Sequence, residues 1–121
     1  MIRIQSLRAR AVRVPMAHPH KTASGTVSES PLVLVDVVID QGVVGHGIIF
    51  TYTTAVLKPV AELVQNLAPL VEREALAPAA IEQNLARRFR LLGTQGLVGM
   101  ALAGIDMALW DALARVCISS T

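Results

Sequence analysis

The pattern of apolar and polar positions predicts β-structure in the first part of the chain. Apolar residues recur at nearly every second position over 2–14, with one phase slip at Ser6 that predicts a β-bulge. A turn over 40–42 separates two β-branched runs, over 31–40 and 43–50, which predict two further strands. Three consecutive strands, two of them joined by a tight turn, predict an antiparallel meander.

The segment between the first two strands has a different composition. Residues 18–30 are polar, include a glycine and show no sustained period, so we predict a long loop there. Pro15 should end the first strand before this loop, because proline has no amide proton for the strand ladder.

The rest of the chain changes to the period of an α-helix. Thr53 or Thr54 can cap a first helix whose apolar positions continue to Leu67. A second helix should end at a C-cap on Gly93, and Thr94 can begin the third. Strands followed by helices, without repeats or a linker, predict a single α+β domain in which a three-stranded antiparallel β-meander precedes a helical bundle.

The third helix carries two acids on different sides. At about 100° per residue, Asp111 falls on one narrow side with Gly104 and lies at the i,i+4 spacing of an ion pair with Arg115. Asp106 falls among apolar residues that include Trp110, so we predict a structural acid that is paired, hydrogen-bonded or protonated. A helix apolar over most of its circumference should be covered on one side by this domain and on the other by a partner.

Composition supports the need for such a partner. The chain has 121 residues, of which 53% are hydrophobic and 17% charged, with a net charge of +2. Its mean hydropathy of +0.53 exceeds what a soluble domain of this size readily hides. The small net charge argues against binding to nucleic acid.

The sequence shows no targeting signal, and we therefore expect a soluble protein of the cytoplasm. The single cysteine, Cys117, cannot form an internal disulfide, which favours a reducing compartment. The N-terminus lacks the uninterrupted apolar core of a signal peptide. The longest apolar run, over 97–110, is shorter than the roughly 20 residues of a membrane span, so we expect no membrane association.

Candidate chemistry within the chain is sparse. His18, His20 and His46 are the three histidines, and no acid or thiol lies near the first two in sequence. We therefore predict no metal site, since a metal centre needs more ligands than these. One carboxylate among apolar residues, without a partner acid or base, makes no catalytic set, so we predict no catalytic residue either.

The third helix also resembles a known family. Residues 101–115, ALAGIDMALWDALAR, resemble the helix signature of the mandelate racemase and muconate lactonizing enzyme family, within the enolase superfamily. The similarity extends back through VVGHG, the strand over 31–36 and the TASGTV segment to Arg8. It implies that residues 1–116 form an N-terminal capping domain, which covers the mouth of a separate (β/α) barrel.

The resemblance assigns roles to two groups of residues. It implies that the segments 18–30 and 49–52 hang over an active site and select its substrate, with four pocket-facing side chains: His20, Thr22, Val27 and Tyr52. It also implies that the third helix packs on the barrel, with three residues at that domain interface: Asp106, Trp110 and Asp111.

The resemblance further implies the chemistry of a parent enzyme. Reactions of the family begin by abstracting the proton α to a substrate carboxylate, and Mg²⁺ stabilises the enediolate. The ligands and bases come from the barrel, so this chain alone should hold no cofactor. A longer parent enzyme would be a racemase or acid-sugar dehydratase that acts on a small carboxylate, requires Mg²⁺ and forms a homo-oligomer.

The end of the chain departs from the family pattern. After Arg115 the family continues into linking residues and an aliphatic run, whereas this sequence reads VCISST, so we expect a divergent or truncated tail over 117–121. The chain could be a fragment of a longer enzyme, a truncated or frameshifted product, or a domain kept alone for binding, and we favour the first two. The rival interpretation is a free-standing α+β interaction or homodimerisation module.

Overall fold

The computed structural model describes the backbone of residues 1–22 and 25–119 and the side chains of 1–16 and 29–118. It contains a three-stranded antiparallel sheet in the order β1-β2-β3, followed by three helices. This arrangement confirms the predicted α+β fold. The elements are β1 (Ile4–Thr22), β2 (Gly25–Ile39), β3 (Val44–Phe50), α1 (Leu57–Val71), α2 (Pro78–Arg88) and α3 (Gly96–Ser119).

The first two strands are longer than predicted. β1 continues through Pro15 and β2 begins at Gly25, so the predicted strand end at Pro15 and the predicted loop over 18–22 and 25–30 were wrong, while residues 23–24 lie outside the described residues. Pro15 lies opposite Glu29, and a register shift follows it before pairing resumes. One missing amide proton therefore does not end the strand, and backbone pairing does not require an apolar sequence. We call this extension, residues 16–22 and 25–30, the hairpin arm.

The core lies on one face of the sheet. Alternate residues of β2 are fully buried, which is the pattern of a sheet with helices on one side: Val33, Val35, Val37 and Ile39. The predicted bulge near Ser6 is confirmed by a register shift between Ile4 and Ser6. Because of that shift, the side chains of both Ile4 and Leu7 are buried.

Helix α3 approaches β3 more closely than ordinary side chains permit. A Cβ atom built on Gly45 would lie 2.6 Å from the Ala112 side chain, and one on Gly47 would collide with the carbonyl oxygen of Gly104. A Cβ atom on Gly104 would overlap the side chain of Ile49. Gly45, Gly47 and Gly104 thus allow helix α3 to lie close against β3 of the same domain.

The helices follow their predicted caps only in part. Thr53 caps the 3-10 turn Thr54–Val56 that leads into α1, by accepting a hydrogen bond from the Ala55 N–H at 3.3 Å. Helix α2 ends at Arg88 rather than at Gly93, although Gly93 does adopt a left-handed φ of 91° in the turn that follows.

Helix α3 is longer than the apolar run that marked it in the sequence. By length and composition alone, residues 96–118 could cross a membrane. However, 44% of its most apolar window is buried inside the domain, and core helices of soluble proteins pass the same test. The helix is therefore weak grounds for a membrane span.

Candidate functional site

The hairpin arm and the end of β3 lie at the same end of the sheet. Phe50, the last residue of β3, pairs with Leu32, and the Thr51 N–H donates to the Pro31 carbonyl oxygen at 3.1 Å. The arm continues beyond Pro31 for about 20 Å, at roughly 3.3 Å per residue. The topology therefore brings the segment after β3 to the base of the arm.

Three of the predicted substrate-facing residues lie on the arm. The backbone places His20 directly opposite Val27, while Thr22 lies opposite Gly25 next to the end of the arm. The side chains of His20, Thr22 and Val27 lie outside the described residues. Their backbone positions and that of Tyr52 share one end of the sheet, although they are separate in sequence.

Tyr52 adopts a strained backbone conformation at this end. Its φ is 65°, and the N–H of Thr53 donates to the carbonyl oxygen of Thr51 at 2.7 Å. A hydrogen bond from residue i+2 to residue i around a positive φ defines a γ-turn of the rare, strained kind. The Tyr52 side chain is 68% exposed, and its ring lies 4.5 Å from that of Phe50 between centroids, at an interplanar angle of 58°.

Thr51 secures this turn, although no sequence pattern singled it out. Among the described side chains, it is the single polar one that is buried, with 1% of its surface exposed. Its hydroxyl lies 3.2 Å from the carbonyl oxygen of Thr53 and 3.3 Å from that of Pro31. A polar β-branched residue after an apolar strand was the only available signal.

Asp111 binds the outer edge of β3. Its Oδ2 accepts the N–H of His46 at 2.8 Å and the Nε–H of Arg115 at 2.9 Å, which confirms the predicted ion pair. The Arg115 hydrogen bond, and then the His46 N–H, hold the pKa of Asp111 below its ordinary value. Ile48, two residues along the same edge, donates its N–H to the Met107 sulfur at 3.4 Å. Side chains of α3 thus accept hydrogen bonds from N–H groups that an edge strand otherwise leaves unpaired.

His46 has a local partner on the opposite face of the sheet. Its Nδ1 lies 2.7 Å from Oδ1 of Asp36, the residue opposite it on β2. Among the described residues, no group of three or more His, Cys, Asp or Glu side chains could hold a metal ion.

Asp106 and Trp110 lie away from β3. Asp106 is partly buried at a narrow groove between α2 and α3, which is lined mainly by apolar side chains: Ile81, Leu85, Leu102, Ile105 and Leu109. Among the described side chains, no cation lies within ion-pair distance of Asp106.

The outer side of α3 is apolar and exposed. Trp110 is 50% exposed and Met107 is 49% exposed. Ala103 and Ala114 are exposed at the same spacing of three and four residues, which places all four on one side of the helix. We call these four residues the outer stripe. The domain itself leaves this side of α3 largely uncovered.

Comparison with known proteins identifies the family. Residues 4–120 match the family described as the mandelate racemase / muconate lactonizing enzyme, N-terminal domain. The chain therefore belongs to this family as its N-terminal domain.

Solved structures agree with this assignment. An enolase from Bradyrhizobium, complexed with magnesium and mandelic acid, is 46% identical, has a TM-score of 0.89 and matches 96% of this chain and 32% of its own. An enolase from an alphaproteobacterium, with bound magnesium, is 29% identical, with a TM-score of 0.89 over 97% of this chain and 32% of its own. A mandelate racemase/muconate lactonizing enzyme-like protein from Rubrobacter xylanophilus is 27% identical, with a TM-score of 0.79. The match covers 95% of this chain and 31% of that protein's chain. This chain spans about a third of the length of these relatives.

Proposed function

We propose that this chain is the substrate-selecting cap of a mandelate racemase-like enzyme whose catalytic barrel lies outside it. The observation that carries the proposal is the position of Tyr52, exposed in a strained turn at the base of the hairpin arm. Strained backbone conformations persist only where the surrounding structure maintains them, and they are concentrated at binding and active sites. His20, Thr22 and Val27, on the arm beside it, would complete the substrate-facing surface.

The parent enzyme would abstract the proton α to the carboxylate of a small acid, as a racemase or an acid-sugar dehydratase. When bound, Mg²⁺ would stabilise the enediolate in such an enzyme. The described residues do not fit this ion, because they contain no three-ligand group and Asp111 already accepts from Arg115 and His46. We therefore assign the metal and the bases to the barrel, and the isolated chain should be inactive.

In this proposal the cap contributes binding and water exclusion. Tyr52 and the arm would close over the substrate and determine which carboxylates fit, since closing an active site strengthens the electrostatic interactions inside it. We further propose a cytoplasmic homo-oligomer for the parent enzyme.

The outer stripe of α3 supports a second part of the proposal, a contact with the barrel. Trp110 and Met107 leave apolar surface in water that a second domain would cover. Asp106 lies at the neighbouring groove, where a donor from the barrel would pair with its carboxylate. Asp111 completes the proposed set, although its Oδ2 is already engaged with β3.

A domain exchange tests the proposal directly. Residues 1–116 of this chain would replace the matching segment of the Bradyrhizobium enolase, and turnover of mandelate and of an acid sugar would be measured with added Mg²⁺. We expect an active chimera, in which Tyr52→Ala changes the ratio of kcat/KM between the two substrates while the affinity for Mg²⁺ is kept. Turnover by the isolated chain, or equal loss of activity and metal affinity, would contradict the proposal.

A free-standing module that self-associates through α3 is the second candidate. The exposure of Trp110 and Met107 favours it, because a helix with an apolar outer side forms dimers readily. Analytical ultracentrifugation of the 121-residue chain separates the two. A discrete, cooperatively unfolding dimer supports the module, whereas a monomer, or non-specific association that fusion to a barrel abolishes, supports the cap.

A further inference from the structure

We infer that Thr51 is a positioning residue whose buried hydroxyl holds Tyr52 in the conformation that meets substrate. The inference rests on the proposed function, since it assumes that Tyr52 selects substrates. Thr51 itself is buried and would not touch a bound molecule.

Burial of the Thr51 hydroxyl is the first step of the argument. A buried hydroxyl must find an acceptor, because leaving it unpaired costs the full desolvation penalty. The acceptors near Thr51 are the carbonyl oxygens of Thr53 and Pro31, at 3.2 and 3.3 Å. The first lies just after Tyr52, and the second lies on β2 where the hairpin arm begins. The side chain therefore links the Tyr52 turn to the arm.

The second step is that little else restrains Tyr52. Among the described side chains, Phe50 provides the ring contact to Tyr52, whose own side chain is 68% exposed, so burial does little to maintain the positive φ. Non-glycine residues avoid this region because the Cβ atom clashes with the backbone. The restraints are the 2.7 Å hydrogen bond across the turn and the Thr51 contacts. Loss of the hydroxyl should release the turn toward an extended conformation.

Two variants separate positioning from simple structural support. Thr51→Val keeps the shape of the side chain and removes the hydroxyl, whereas Thr51→Ser keeps the hydroxyl and removes a methyl group. Tyr52 is the single tyrosine of the chain, so a tyrosine-specific isotope label reports on this turn alone. We expect NMR of Thr51→Val to show Tyr52 backbone shifts moving from left-handed toward extended values. We expect Thr51→Ser to match the wild-type spectrum.

The same variants are then compared with Tyr52→Ala in the domain-exchange chimera. Thr51→Val should raise KM for the preferred substrate by about fivefold, the effect of one net hydrogen bond, with kcat largely kept. Thr51→Ser should restore KM to within about twofold. Should Thr51→Val fold too poorly to assay, Thr51→Ala with the Thr51→Ser comparison provides the same contrast.

The outcomes distinguish this inference from the proposed function. If Tyr52→Ala changes substrate preference while Thr51→Val leaves both KM and the Tyr52 spectrum unchanged, the positioning role is overturned and the cap function stands. If Tyr52→Ala has no effect on substrate preference, the cap function fails and the inference falls with it. An equal loss of kcat in Thr51→Val and Thr51→Ser would indicate structural support only and would also overturn the inference.

Discussion

The contact between α3 and β3 yields a quantitative prediction about Gly45. A methyl group added by Gly45→Ala would collide with the carbonyl oxygen of Ala108, and it would lie 2.5 Å from the backbone nitrogen of Ala112 and 2.6 Å from the Ala112 side chain. Ordinary contacts of this kind lie at 3.4 Å or more, so helix and strand would have to separate by about 1 Å. None of these obstacles can rotate away, since two are backbone atoms and the third is a Cβ atom.

The expected cost follows from this rigidity. Overpacking typically costs about 1–3 kcal/mol, and we expect the upper half of that range because the backbone itself must move. The intrinsic effect of the substitution has the opposite sign, since glycine weakens a strand. A loss of about 2 kcal/mol should lower the melting temperature of a domain of this size by roughly 8 °C.

Gly104→Ala provides the matched control. Its added methyl group would meet Cδ1 and Cγ1 of Ile49, a side chain that can shift where a backbone cannot, and helix propensity favours alanine by about 1 kcal/mol. We therefore expect Gly104→Ala to cost less than Gly45→Ala. Urea denaturation followed by the fluorescence of Trp110, the single tryptophan, measures both free energies of unfolding. A Gly45→Ala variant as stable as wild type, or a larger loss in Gly104→Ala, would refute the reasoning.

Three further predictions concern Asp111, Tyr52 and Trp110. Because its pKa is lowered in the folded state, the ionised Asp111 carboxylate stabilises the fold at pH values above the ordinary aspartate pKa. This contribution is lost as the pH falls through the lowered, folded-state pKa. Asp111→Asn should therefore destabilise the chain at pH 7, by less than about 1 kcal/mol for so exposed a pair, and the difference should shrink in urea titrations as the pH falls below the ordinary aspartate range. Tyr52→Gly should be about 1 kcal/mol more stable than Tyr52→Ala in thermal melts, because glycine tolerates the φ of 65°, and equal stabilities would contradict the strain. Trp110→Ser should reduce self-association in sedimentation without changing the far-UV circular dichroism spectrum, and loss of that spectrum would place Trp110 in the core instead.

The main body of the fold was predictable because burial leaves a period in the sequence. The alternation of buried and partly exposed residues along β2 indicates a sheet covered on one face, and the phase slip at Ser6 indicates a bulge. The hairpin arm left no such record, because hydrogen bonds between backbones hold it and these place no demand on side-chain polarity. Pro15 misled the prediction, since a proline at a register shift removes one donor without ending the strand.

The candidate site was only partly predictable. The resemblance drew attention to Tyr52, but a tyrosine is not the residue type that positive φ values favour, so the γ-turn left no sequence signal. Thr51 was missed for a related reason. Its role depends on two carbonyl oxygens, of Pro31 and Thr53, that only the folded chain brings to its hydroxyl.

The signature segment 101–115 divides into two sets by where its side chains lie. Gly104 and Asp111 face β3, where one permits the close approach and the other accepts the His46 N–H, so packing within this domain accounts for both. Trp110 and Asp106 have no comparable role inside the domain, since the first is half in solvent and the second borders a groove. Because the Oδ2 of Asp111 is already engaged, the proposed contact with a barrel rests mainly on Trp110 and Asp106. Substitutions at these two residues should weaken that contact while leaving the fold of this domain intact.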